Sequence, residues 1–171
     1  MKYTFFDTDD TGWAEYDITG EDYIELMKLC IKYSKTVCFR RFRCSISIPK
    51  HLEKYSLPLT ENVVKPYPYY RELSGLAKAE LIYLELSEEV CEWILSATYN
   101  IWGWDHFSKD HLVEDPVFFR EDGSVFSDSV IHDGEFSIYP RDEEDVSSVI
   151  SKGHWHYLKD DEHRFTCSVV S

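Results

Sequence analysis

Two imidazoles stand one residue apart in His154-Trp155-His156. In an extended strand alternate side chains share a face. Both rings would then point the same way, as a transition metal asks of its ligands. His132, in His132-Asp133-Gly134-Glu135, or His163 would supply a third ligand. An imidazole this close to carboxylates also has the chemistry of a general acid or base. Each motif has a plainer reading. Asp-Gly is the pair favoured in two-residue hairpin turns, and histidines on a short surface strand need no metal.

The His154-x-His156 spacing resembles the His-x-His of the cupin family, in which a Glu follows a few residues later, and so implies a metal held by His154 and His156. Here the next Glu is Glu162 and the long strand series around the motif is missing, so the resemblance covers three residues. Asp7-Thr8-Asp9-Asp10-Thr11-Gly12 begins like a calcium loop, with Asp7, Asp9 and Thr11 at the first, third and fifth ligand positions. The twelfth position is Ile18, where a bidentate Glu is needed, so an Asp-rich hairpin turn is the better reading. The five cysteines, Cys30, Cys38, Cys44, Cys91 and Cys167, are odd in number and none are spaced C-x-x-C. They read as buried free thiols rather than a disulfide framework. A phosphate-binding glycine loop, a G-x-S-x-G elbow, an H-E-x-x-H helix and a zinc knuckle are all absent from the sequence. No cofactor is expected.

The other candidates are groups that bind rather than react. Trp102, Trp104, His106 and Phe107 gather around Gly103. Exposed, such aromatics make interface anchors; buried, they are core. Asp142, Glu143 and Glu144 form an acidic run shortly downstream.

That run belongs to a lopsided charge distribution. The net charge is −14. From Asp105 to Ser171 there are 16 acids and 6 bases, against 16 acids and 12 bases before them. Lys28, Lys32, Lys35, Arg40, Arg41 and Arg43 lie together with no acid among them. Duplex nucleic acid is a poor partner for so acidic a chain, since phosphates need clustered cations. A basic protein is a better one. Favourable helix ends and solubility account for the same charges without any partner.

The elements that would position these groups can be read from periodicity. Residues 2–6 and 13–18 read as two short strands around the Asp-rich turn. Thr19 reads as the cap of a helix to about Ser34, with Ile24, Met27 and Ile31 on its inner face, widened by Tyr23, Leu26, Cys30 and Tyr33. Val37 to Ile48 has period two, with Arg41 and Arg43 on an outer, basic face. Residues 49–71 hold four of the six prolines and read as a long connection. Ala79–Leu86 is a strand, and Ser87 caps a helix with Val90, Trp93, Ile94 and Ala97 inside. Val117–Arg120, Val125–Ile131 and Glu135–Tyr139 are strands joined by Asp-Gly turns. Asp142–Lys152 is a helix closed by Gly153. Trp155–Leu158 and Phe165–Val170 are two further strands. Strands joined by tight turns imply antiparallel pairing. The expected fold is therefore α+β, a mainly antiparallel sheet with about three helices packed on it, in one domain spanning residues 1–171.

The first residues lack a signal-peptide pattern, and no window approaches the roughly 18 apolar residues of a membrane span. A cytoplasmic location is the expectation, with neither membrane nor nucleic-acid contact. Three functions fit. The leading one is a protein-binding module that docks a basic partner through its acidic and aromatic segments, at Trp102, Trp104, His106, Asp142, Glu143 and Glu144. Its size and charge are those of a bacterial immunity protein, which neutralises a basic toxin. The second is a metal-dependent or acid–base enzyme using His132, His154 and His156. The third is a homo-oligomeric regulatory protein in which a basic strand face meets an acidic one.

Overall fold

The computed structural model describes residues 2–6, 18–41, 47–58, 80–105, 112–131, 134–152 and 155–158. The Asp-rich turn, most of the expected strand 13–18, the 59–79 connection and the expected strand Phe165–Val170 lie outside the described residues.

Helix α1 (Glu21–Lys32) forms where the 3.6-residue period predicts it, and Tyr23, Leu26, Met27, Leu29 and Cys30 are its buried side chains. Its start differs from expectation. The cap position is Gly20, at φ 57°, and no side chain caps the helix. Thr19 is instead used by its backbone, in an antiparallel bridge to Asn100. The Gly20 amide donates to the Tyr99 carbonyl at 2.7 Å, and Ile101 donates to Ile18 at 3.2 Å. Glycine reaches the left-handed conformation that this splice requires at little cost.

Helix α2 (Glu88–Ser96) begins as its sequence dictates: Ser87 Oγ accepts from the Val90 amide at 3.3 Å. The third helix is a correction. It covers only Ser147–Ile150 (α3), not 142–152. Asp145 accepts from the Ser147 amide and hydroxyl at 3.0 and 2.6 Å. This local turn competes with helix, and Glu144 is drawn away toward Arg120. The long connection hides a short 3-10 helix at Lys50–Tyr55, anchored by buried Leu52.

Among the described residues, seven strands build one sheet: β1 (Lys2–Phe6), β2 (Thr36–Arg41), β3 (Glu80–Glu85), β4 (Glu114–Phe119), β5 (Val125–Val130), β6 (Glu135–Ile138) and β7 (Trp155–Leu158). Their order is β3-β2-β4-β5-β6-β1-β7, and the described pairs are antiparallel. The fold is α+β, as the turn chemistry implied. β4-β5-β6 is the meander that the two Asp-Gly turns predict. β1 departs from a simple hairpin, since β6 occupies one of its edges and β7 the other. β2 lies between β3 and β4, and its four middle residues are buried. Of the residues expected on its basic outer face, Arg41 is half-buried and bonded to Glu80 and Ser47, and Arg43 lies outside the described residues. Arg40 is 7% exposed and its Nη1 lies 3.1 Å from Asp115 Oδ2.

The main core lies between the sheet and helices α1 and α2. Phe5, Val37, Phe39, Phe118, Phe126 and Phe136 meet Leu26, Met27, Val90 and Ile94 there. Each such side chain stabilises the fold by about 1.5–3 kcal/mol on burial. On the other face of the sheet Cys38, Tyr83, Val117 and Phe119 form a second, smaller cluster. No described helix is long and apolar enough to cross a membrane.

Candidate functional site

The aromatic segment after α2 turns mostly inward. Trp104 is fully buried. Its indole N–H donates to the Tyr23 hydroxyl at 3.1 Å, which donates to the Ile94 carbonyl at 2.8 Å. Its ring lies 5.2 Å from Phe39 and 5.4 Å, edge-on, from Trp93. It ties α1, α2 and β2 together and offers no surface to a partner, contrary to expectation. Trp102 is half-buried and stacks on Phe5 at 6.1 Å. Gly103 is required sterically: a Cβ there would sit 1.9 Å from Thr98 Oγ1. His106 lies outside the described residues. Among the described residues of this segment the exposed aromatic is Tyr99, at 56%. Its position just past the apolar face of α2 was the one available signal.

The acidic run also divides. Glu144 is not available to a partner. Its two oxygens take the Arg120 Nε and Nη2 hydrogens at 2.7 and 2.6 Å, with both side chains 7% exposed. It also accepts from the Arg141 amide at 2.7 Å. Burial alone would raise the Glu144 carboxyl, but these hydrogen bonds and the Arg120 charge hold it below its ordinary value. Arg120 further donates to the Val125 and Tyr139 carbonyls at 2.6 and 2.7 Å. The pair is a clamp between the β4–β5 turn and the chain after β6. Asp142 and Glu143 remain exposed. Other acids of the region are inside: Glu114, Asp115 and Glu135 are 2%, 0% and 8% exposed. Among the described residues, the acids of the C-terminal region thus do not form a continuous surface.

His132 and His154 lie outside the described residues. His156 is exposed on β7, in register with Thr4. Registers align His156, Thr4, Ser137 and Asp128 as one row across four strands. Alternation places this row on the face away from α1, whose Cys30 meets Ser127 on the other side. A polar network runs through it. The Thr4 and Ser137 hydroxyls are 2.9 Å apart, and Ser137 donates to Glu135 at 3.2 Å. Lys2 Nζ lies 3.5 Å from Glu135 and 5.4 Å over the Tyr139 ring. Tyr139 donates to Asp128 at 3.0 Å. Burial pushes the Glu135 carboxyl up; the Lys2 charge opposes this and the Asp128 charge reinforces it. Among the described residues no three His, Cys, Asp or Glu groups are placed to hold a metal ion.

Cys30 and Cys38 are buried free thiols, and desolvation pushes both up to about 12. Neither supplies a thiolate nucleophile at neutral pH. A 550 Å³ groove between the end of α1 and the β4–β5 turn carries Lys32, Lys35, Arg120 and Arg141. Arg120 is committed to Glu144, Arg141 to Asp122 and Lys35 to Glu85, so it presents little net charge.

A wider groove, about 730 Å³, lies between the first half of α1 and the segment that leaves α2. The bridge of residues 18–20 to 99–101 sets its width. Ile24, Leu95 and Ala97 give it an apolar floor, and each is only partly covered. Tyr99 stands at one side; Glu21, Glu25 and Lys28 project from α1 at the other. This combination of one exposed ring, an apolar floor and a charged rim is the surface best suited to a macromolecular partner.

Comparison with protein-family models, with curated proteins and with solved structures finds none that matches.

Proposed function

We propose that the chain is a protein-binding module of the immunity or inhibitor kind, which docks a basic partner in the groove between α1 and the end of α2. The observation that carries this reading is Tyr99, 56% exposed beside an apolar floor and the α1 carboxylates. An aromatic with two rotatable bonds loses little entropy on binding and buries much area. The net charge of −14 favours a cationic partner and speeds encounter with it. Tyr99 is the aromatic anchor here, where the sequence nominated Trp102, Trp104 and His106. The test is a tagged pull-down from the native host's lysate at low and moderate salt, run side by side with Tyr99→Ala. One basic protein held in stoichiometric amount, weakened by salt and lost in the variant, supports the reading. Equal retention by both proteins overturns it.

A second reading rests on the Glu135 network. A buried carboxyl with a raised pKa, beside Lys2 and accepting from Ser137 of the row that holds His156, has the makings of acid–base chemistry. Turnover of any substrate lost in Glu135→Gln and retained in Tyr99→Ala would favour it.

A further inference from the structure

The acids along α1 already hold a cation. Lys152, just past α3, places its ammonium 2.5 Å from Glu25 and 3.0 Å from Asp22. Glu25 lines the docking groove. The three side chains are 42–48% exposed, so this is a surface ion pair, worth little to the fold and readily exchanged. Its electrostatic effect on the groove is larger. Among the described residues, Glu21, Asp22 and Glu25 carry three negative charges against Lys28 and Lys152, and removing Lys152 takes away one of those two cations.

We propose that Lys152 is an intramolecular placeholder, an autoinhibitory contact that a lysine or arginine of the partner must displace from Glu25 and Asp22. The inference rests on the docking reading above and specifies its regulation. A partner cation entering the groove meets Glu25 at its rim, the carboxylate that already seats one ammonium together with Asp22 on the neighbouring flank of α1. Displacement frees Lys152 to solvent at small cost, so the contact tunes affinity and discriminates against weakly charged segments without blocking the groove. Raised Lys152 basicity, which comes from hydrogen bonding to Glu25 and Asp22, agrees with the geometry.

The probe is a synthetic amphipathic peptide of leucine and lysine, titrated at low salt by fluorescence anisotropy. Lys152→Met should bind it roughly two- to five-fold more tightly than the parent, the scale of one exposed ion pair. Lys54→Met is the control, because it removes one positive charge from an exposed pair with Glu89, at the other end of α2. Glu25→Gln should cancel the gain. If Lys152→Met binds no better than Lys54→Met while Tyr99→Ala abolishes binding, the placeholder is wrong and the groove stands. If Tyr99→Ala binds the peptide as the parent does, in the Lys152→Met background also, the docking reading itself fails.

Discussion

Residues 141–145 and the first half of α1 are both rich in acids, yet the fold uses them differently. In the first region Glu144 is shut away with Arg120, and Asp145 turns back on Ser147. In the second, Glu21 and Glu25 stand along a groove, and Glu25 with Asp22 holds a lysine that solvent reaches. The difference lies in what a carboxylate faces. Against a buried guanidinium with its remaining donors on carbonyls, a carboxylate becomes part of the framework. On a helix flank beside an apolar floor, it stays exchangeable. Acid density alone does not separate the two cases.

The largest expected effect tests the framework side. Glu144→Ala leaves Arg120 buried without its counter-charge and should cost about 3–5 kcal/mol in chemical denaturation. A loss under about 1 kcal/mol would put Glu144 in the same class as the α1 acids and dissolve the contrast. Acid titration sharpens it. The folded-state Glu144 carboxyl is held below its ordinary value of 4.5. Its stabilisation is therefore present above pH 4.5 and lost as pH falls through the folded value. The parent should lose stability more steeply than Glu144→Gln on acidification below that point.

Next is Gly103→Ala, whose added methyl meets Thr98 and should cost about 1–3 kcal/mol. A neutral result would mean that the segment after α2 yields, and with it the wall of the groove. Tyr99→Ala should leave stability within about 0.5 kcal/mol but weaken retention of a basic partner about tenfold. Smallest of all, Asp142→Asn with Glu143→Gln should change neither stability beyond about 0.5 kcal/mol nor binding beyond about twofold. If that pair weakens binding as much as Tyr99→Ala, the docking surface is the 141–145 region and the assignment of roles reverses.

Several of these elements were legible from letters alone because their causes are local. The period of Tyr23, Leu26, Met27 and Cys30 fixes the inner face of α1, and Ser87 with Glu88 and Glu89 starts α2. Two Asp-Gly pairs mark the connections of the β4-β5-β6 meander within a few residues of sequence. These features settle the α+β class and most strand positions. Other features rest on contacts far apart in the chain. Thr4 meets Ser137 across 133 positions and Lys152 meets Glu25 across 127. Whether Trp104 or Tyr99 faces water depends on how α1, α2 and β2 close over that segment. Whether Glu144 or Glu25 is available depends on which one lies under a buried arginine. The sequence by itself determined composition, charge and the local periodicities, since each is written in neighbouring residues. Only the tertiary structure decided which aromatic and which acids remain at the surface, because burial is a property of the packed whole.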